Sequence, residues 1–109
     1  MLTRLSKVED FNSRILNGEG LSIVRFCARW SGPCHIMEPI YKEMSSIYSL
    51  HVAFYYVDID EAPELKSQLA VIELPTIFLY RKGELIDYIK GLISRELFID
   101  KLEKAICKF

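Results

Sequence analysis

The groups best placed to do chemistry in this chain lie in Trp30-Ser31-Gly32-Pro33-Cys34. Cys34 supplies a thiol and Ser31 a hydroxyl. Were that oxygen a sulfur, two thiols would flank Gly-Pro, close enough to close a tight disulfide. Such a pair exchanges disulfides: one thiolate attacks the substrate, and the other resolves the mixed intermediate. The first turn of a helix favours this, because its unpaired N–H groups and positive dipole end promote thiol ionisation. Serine does not take the part. Its pKa lies far above neutrality, its oxygen is a poorer nucleophile than sulfur, and it cannot form a disulfide with Cys34. Serine is a preferred helix N-cap, and that is the structural account of Ser31.

The chain has three cysteines, Cys27, Cys34 and Cys107. The odd number and the absence of metal-ligand spacing argue against a disulfide framework and against a zinc site. No metal and no cofactor are expected. Cys27 reads as a small buried apolar residue, or as a second thiol partner for Cys34 if the fold brings the two together. Cys107 reads as a helix-face residue or an incidental thiol. Asp58 and Asp60 lack a His or Cys cluster and read as strand-end caps.

The elements that must position these groups follow from patterning. Ser6-Lys7-Val8-Glu9 matches a capping box, and Val8, Phe11 and Ile15 follow at helical spacing before Asn17-Gly18. Residues 21–28 read as a strand, and residues 33–50 as a helix carrying Met37, Ile40, Tyr41, Met44, Ile47 and Tyr48 on one stripe. Pro39 removes one backbone donor from that helix and should kink it. Residues 51–58 form a second buried strand, and 62–69 a short helix with Pro63 near its start. Residues 74–80 and 85–90 are strands joined by Arg81-Lys82-Gly83-Glu84, where glycine supplies unusual dihedrals. Ser94 caps a last helix bearing Leu97, Phe98, Leu102, Ala105 and Ile106 on one face, and a short first strand is expected over residues 3–5. Alternating units followed by a hairpin predict an α/β domain, with a mixed central sheet of four to five strands and helices on both faces.

The whole chain of 109 residues is expected to form one domain. Its apolar share of 50%, charged share of 27% and net charge of −1 are ordinary for a soluble protein. Lys and Arg are interleaved with Asp and Glu, so neither nucleic acid nor an anionic membrane is expected as the main partner. The N-terminus has no apolar run of signal-peptide length, and the apolar segment 52–57 is too short to span a bilayer. A cytoplasmic monomer is the expectation.

The order of elements, together with several motifs, resembles the thioredoxin family over nearly the whole chain. The motifs are residues 26–34 with the following Pro39, Val57-Asp58-Ile59-Asp60, Leu74-Pro75-Thr76, Lys82-Gly83-Glu84, and Gly91 before the last helix. The resemblance implies the thioredoxin fold and descent from protein-disulfide oxidoreductases of cell redox homeostasis. It makes Ser31 the position of the attacking cysteine, so dithiol turnover by this chain is expected to be lost or very weak.

The resemblance also identifies other departures. The positions where the family carries a buried Asp and a Lys, thought to assist proton transfer, are Arg25 and Tyr56. Cys27 stands where a bulky aromatic is usual, and His35 where many members carry Lys. Ser31 is either an engineered replacement, in which case a thioredoxin reductase is a partner, or native to a branch that left the dithiol mechanism. Arg25 shares a strand face with Ile23 and Cys27, a face that lies beneath the motif helix in the family. There it could favour a lone reactive Cys34 thiolate. Otherwise it reaches solvent or pairs with Asp58 or Asp60.

The family's substrate groove maps onto Trp30, Gly32, Pro33, Leu74, Pro75 and Gly91, with Pro75 in cis. It implies extended protein or peptide substrates that add a strand to the exposed backbone. The alternative to an oxidoreductase is thus a redox-silent, chaperone-like polypeptide-binding module.

Overall fold

β2 (Leu21–Cys27) organises the molecule, because six of its seven residues are buried and both of its faces are covered. Nearly continuous apolar sequence is what such a two-sided strand requires. The computed structural model describes residues 2–107, so the two ends of the expected 1–109 unit lie outside the described residues. β2 pairs in parallel with β3 (Val52–Asp58), which pairs in parallel with β1 (Leu2–Arg4). On its other side β2 pairs antiparallel with β4 (Thr76–Arg81), and β4 with β5 (Glu84–Lys90). The result is a mixed five-stranded sheet in the order β1-β3-β2-β4-β5.

Alternation along β2 divides the core into two layers. Val24 and Phe26 face one layer with Phe11, Ile15 and Leu65, from α1 (Val8–Phe11), the π-helical turn Asn12–Leu16 that continues it, and α3 (Pro63–Gln68). Leu21 and Ile23 face the other, built with Met37, Tyr41 and Met44 of α2 (Gly32–Ile47) and Phe98, Leu102 and Ala105 of α4 (Arg95–Cys107). Helices therefore cover both faces of the sheet. No helix among the described residues is long and apolar enough to cross a membrane.

Most element boundaries lie within one or two residues of the patterning, and the exceptions have local causes. The Ser6 capping box does not form: α1 starts at Val8 with Lys7 as N-cap, and no side chain caps it. The second helix ends at Ile47 rather than at Leu50, which is almost fully exposed at the turn into β3. Ile47 and Leu97 are exposed rather than part of their helices' buried stripes. α2 runs through Pro39 as one helix. Leu74 and Pro75 precede β4 instead of belonging to it; their peptide bond is cis, and Pro has no N–H to give a ladder. Ser94 does cap α4, accepting from the Leu97 N–H at 3.1 Å.

Candidate functional site

Three strand ends meet beside the start of α2. Phe26 of β2 pairs with Thr76 of β4, and Thr76 with Lys90 of β5, so the segments before β4 and after β5 lie at the edge where β2 turns into the motif. The Gly91 N–H donates to the Pro75 carbonyl at 2.8 Å, tying these two segments together, and Gly91 has φ +86°. Glycine holds that conformation without steric cost. The Thr76 hydroxyl donates to the Glu73 carbonyl, closing the turn around Pro75. Leu74 and Pro75 are thus held at the same sheet edge as Trp30, Gly32 and Pro33, which form the loop and first turn entering α2.

Within the motif the side chains part company. Trp30 is 69% exposed, and its indole N–H donates to an Asp60 carboxylate oxygen at 2.9 Å. Ser31 is buried and is the N-cap of α2, its hydroxyl accepting from the Cys34 N–H at 3.4 Å. Gly32 and Pro33 follow as the first helical residues, where a missing N–H costs nothing. Cys34 is buried, with 3% of its surface exposed.

A cleft of about 200 Å³ opens over the C-terminal ends of β2 and β3, and Arg25, Cys27, Cys34 and Tyr56 line it. Trp30, Gly32, Pro33, Leu74, Pro75 and Gly91 do not. The structure therefore sorts the residues singled out from the sequence into two groups, one at the motif edge and one in this cleft. Arg25 and Tyr56 are direct cross-strand neighbours in the β2–β3 ladder.

Arg25 does not reach solvent and does not pair with Asp58 or Asp60. It is buried beneath α2, where Nη1 donates to the Cys34 carbonyl at 3.4 Å and Nη2 lies 4.0 Å from Glu38. Its guanidinium carbon also sits 5.2 Å from the centre of the Tyr41 ring. The reason is register: Arg25 shares the α2-facing side of β2 with Ile23, so its stem runs under the helix and Glu38 on α2 is the acid within reach. Arg29 takes Asp58 instead, at 3.7 Å, and Glu61 at 3.8 Å.

Cys27 and Cys34 are both free thiols, and both line the cleft. Burial first, and then the neighbouring Cys34 thiol, push the Cys27 thiol well above the ordinary cysteine range, with the Arg25 charge opposing them. Cys107 is exposed on α4. Asp58 caps the end of β3, accepting from the Asp60 N–H at 3.0 Å. Among the described residues no group of three His, Cys, Asp or Glu could hold a metal ion.

Sequence patterning did not point to Arg29, Glu38 or Glu61 in the cleft, nor to Asp60 as the partner of Trp30. Asp60 and Trp30 are far apart in sequence and meet only because β2 and β3 are adjacent in parallel. His35 is held by a contact of 2.6 Å between Nε2 and the Arg29 carbonyl.

The thioredoxin family model matches residues 3–104. This chain belongs to the thioredoxin family. Thioredoxin relatives include a chloroplastic M-type thioredoxin of Spinacia oleracea, 30% identical over 107 residues, covering 94% of this chain but 59% of that protein. A thioredoxin of Staphylococcus epidermidis is 30% identical over 97 residues, covering 89% of this chain and 91% of its own. Thioredoxin-2 of Saccharomyces cerevisiae is 31% identical over 91 residues, covering 84% and 86%. The solved structure of a Malassezia sympodialis thioredoxin superimposes with a TM-score of 0.87 at 23% identity, over 96% of this chain and 90% of that one, which establishes a shared thioredoxin fold. The lineage is that of thiol–disulfide oxidoreductases.

Proposed function

We propose that this chain is a thioredoxin-family polypeptide-binding protein whose Ser31–Cys34 motif no longer turns over protein disulfides. The observation that carries this reading is the division of labour inside the motif. The hydroxyl at the attacking position is buried and caps α2, while the neighbouring Trp30 ring stands open to a ligand. Trp30, Gly32, Pro33, Leu74, Pro75 and Gly91 form the substrate groove in this reading. Ile72 and Leu92, both largely exposed beside Leu74 and Gly91, extend its apolar surface. An extended segment of a partner protein lies there as an added strand, its apolar side chains meeting Trp30. The protein acts as one unit, a cytoplasmic monomer without cofactor. If Ser31 is an engineered replacement, a thioredoxin reductase is a further partner.

Trp30 is the single tryptophan, so its emission reports groove occupancy. Titration with an unstructured peptide should shift that emission saturably, and the same peptide should leave a Trp30→Phe chain unbound in calorimetry. In a parallel insulin-reduction assay the unmodified chain should give no turnover above the reductant alone. Rapid turnover by the unmodified chain, or an emission that no peptide changes, would overturn the reading.

A further inference from the structure

We propose that Cys27 and Cys34 form a redox site of their own, closing to a Cys27–Cys34 disulfide when a small disulfide enters the cleft beside them. The pair links the end of β2 to the first turn of α2, across the loop that contains Ser31. Three observations converge on it. Both thiols are free, and both stand beside Arg25: Cys27 follows it by two residues on the same face of β2, and Arg25 Nη1 donates to the Cys34 carbonyl at 3.4 Å. Both line the same cleft of about 200 Å³, so a small reagent has a route to them although Cys34 is buried. The wall of that cleft also holds Arg25, a buried cation whose Nε is without a hydrogen-bond partner.

The chemistry is ordinary thiol–disulfide exchange. Cys34 loses its proton, and Sγ attacks one sulfur of the small disulfide. A mixed disulfide forms, the reagent's S–S bond breaks, and one thiolate leaves and takes up that proton. Cys27 then loses its proton and attacks Cys34 Sγ, which closes the internal bond and expels the second thiolate, and that thiolate takes up the second proton. Two protein thiols are oxidised and one external disulfide is reduced to two thiols. The Arg25 charge beside Cys34 meets each expelled thiolate before it is protonated.

The size of the cleft sets the substrate class. It suits a low-molecular-weight disulfide and excludes a folded protein's disulfide. Its charges are balanced, with Arg4, Arg25 and Arg29 facing Glu38, Asp58 and Glu61, so no net charge is demanded of the reagent. This site is independent of the groove: peptide binding at Trp30 and thiol closure are read by different measurements, and failure of one leaves the other standing.

The test uses the native chain with hydroxyethyl disulfide, quenched in acid and analysed by thiol counting and peptide mapping. Peptide mapping should find the 27–34 cross-link, with the exposed Cys107 carrying a mixed disulfide with half of the reagent. A Cys107→Ser chain should fall from two free thiols to none. In Cys27→Ser the reaction should stop at a mixed disulfide on Cys34 that retains half of the reagent. Should Cys27→Ser fail to fold, the mapping on Cys107→Ser decides alone. Independent mixed disulfides on Cys27 and Cys34 without a cross-link, or two thiols that never react in the folded chain, would overturn the proposal.

Discussion

At position 31 a hydroxyl accepts from the Cys34 amide, and at position 34 a buried thiol lines the cleft. The serine therefore matters to the helix. Ser31→Ala should lower stability by about 0.5–1 kcal/mol, the smaller end of what an N-cap contributes, because its hydrogen bond is long at 3.4 Å. Urea unfolding at unchanged slope would register this as a lower midpoint. Arg25 behaves differently. Its charge is buried, its Glu38 partner is 4.0 Å away and half-exposed, and Nε is unpaired, so desolvation offsets most of the attraction. Replacing it with an apolar side chain of similar length, Arg25→Met, should change stability by less than about 1 kcal/mol or raise it. A loss of about 3 kcal/mol would mean that the guanidinium is needed to hold the Cys34 carbonyl. That Arg25 is buried follows from its place on a central strand; its partners do not, because Glu38 enters from a helix whose rotation over β2 only packing sets.

The turn between β4 and β5 shows what an element owes to its neighbours. Gly83 has φ +81°, and a Cβ there would lie 2.1 Å from the Leu16 carbonyl oxygen at the end of the π-helical turn. The need for glycine is legible in Arg81-Lys82-Gly83-Glu84; the backbone of residue 16 pressed against it is not. Gly83→Ala combines positive-φ strain with a backbone clash and should destabilise by about 2 kcal/mol or more, measurable as a fall in Tm. Full stability in that variant would require the turn to have moved away from Leu16. The hairpin and α4 were legible because turn chemistry and a serine cap act over a few residues. The Ser6 capping box was a false signal of the same local kind. The chain enters α1 one residue later, so the hydroxyl caps nothing.

Across the whole molecule, buried acidic protons set the response to alkali. Burial pushes Tyr80 up to about 12. Burial also raises Tyr41, and burial followed by the neighbouring Cys34 thiol raises Cys27, both above Tyr80. The folded chain keeps these protons at a pH where the unfolded chain, with Cys near 8.5 and Tyr near 10, has released them. Stability is therefore full below about pH 8 and falls as pH rises through about 9 to 12. Urea midpoints at about pH 7.5 and about pH 10.5 should differ, the alkaline one being lower; equal midpoints would contradict the burial of these groups. Sequence by itself determined the strand and helix order, the two-faced sheet, and the presence of a hydroxyl and not a thiol at position 31, since period, turn residues and side-chain chemistry are properties of neighbours along the chain. Tertiary structure alone decided that Trp30 is steered by Asp60, that Arg25 lies under Cys34, and that Cys27 and Cys34 line one cleft. Those contacts depend on strand order, register and the seating of α2 on the sheet, and packing the whole core settles these together.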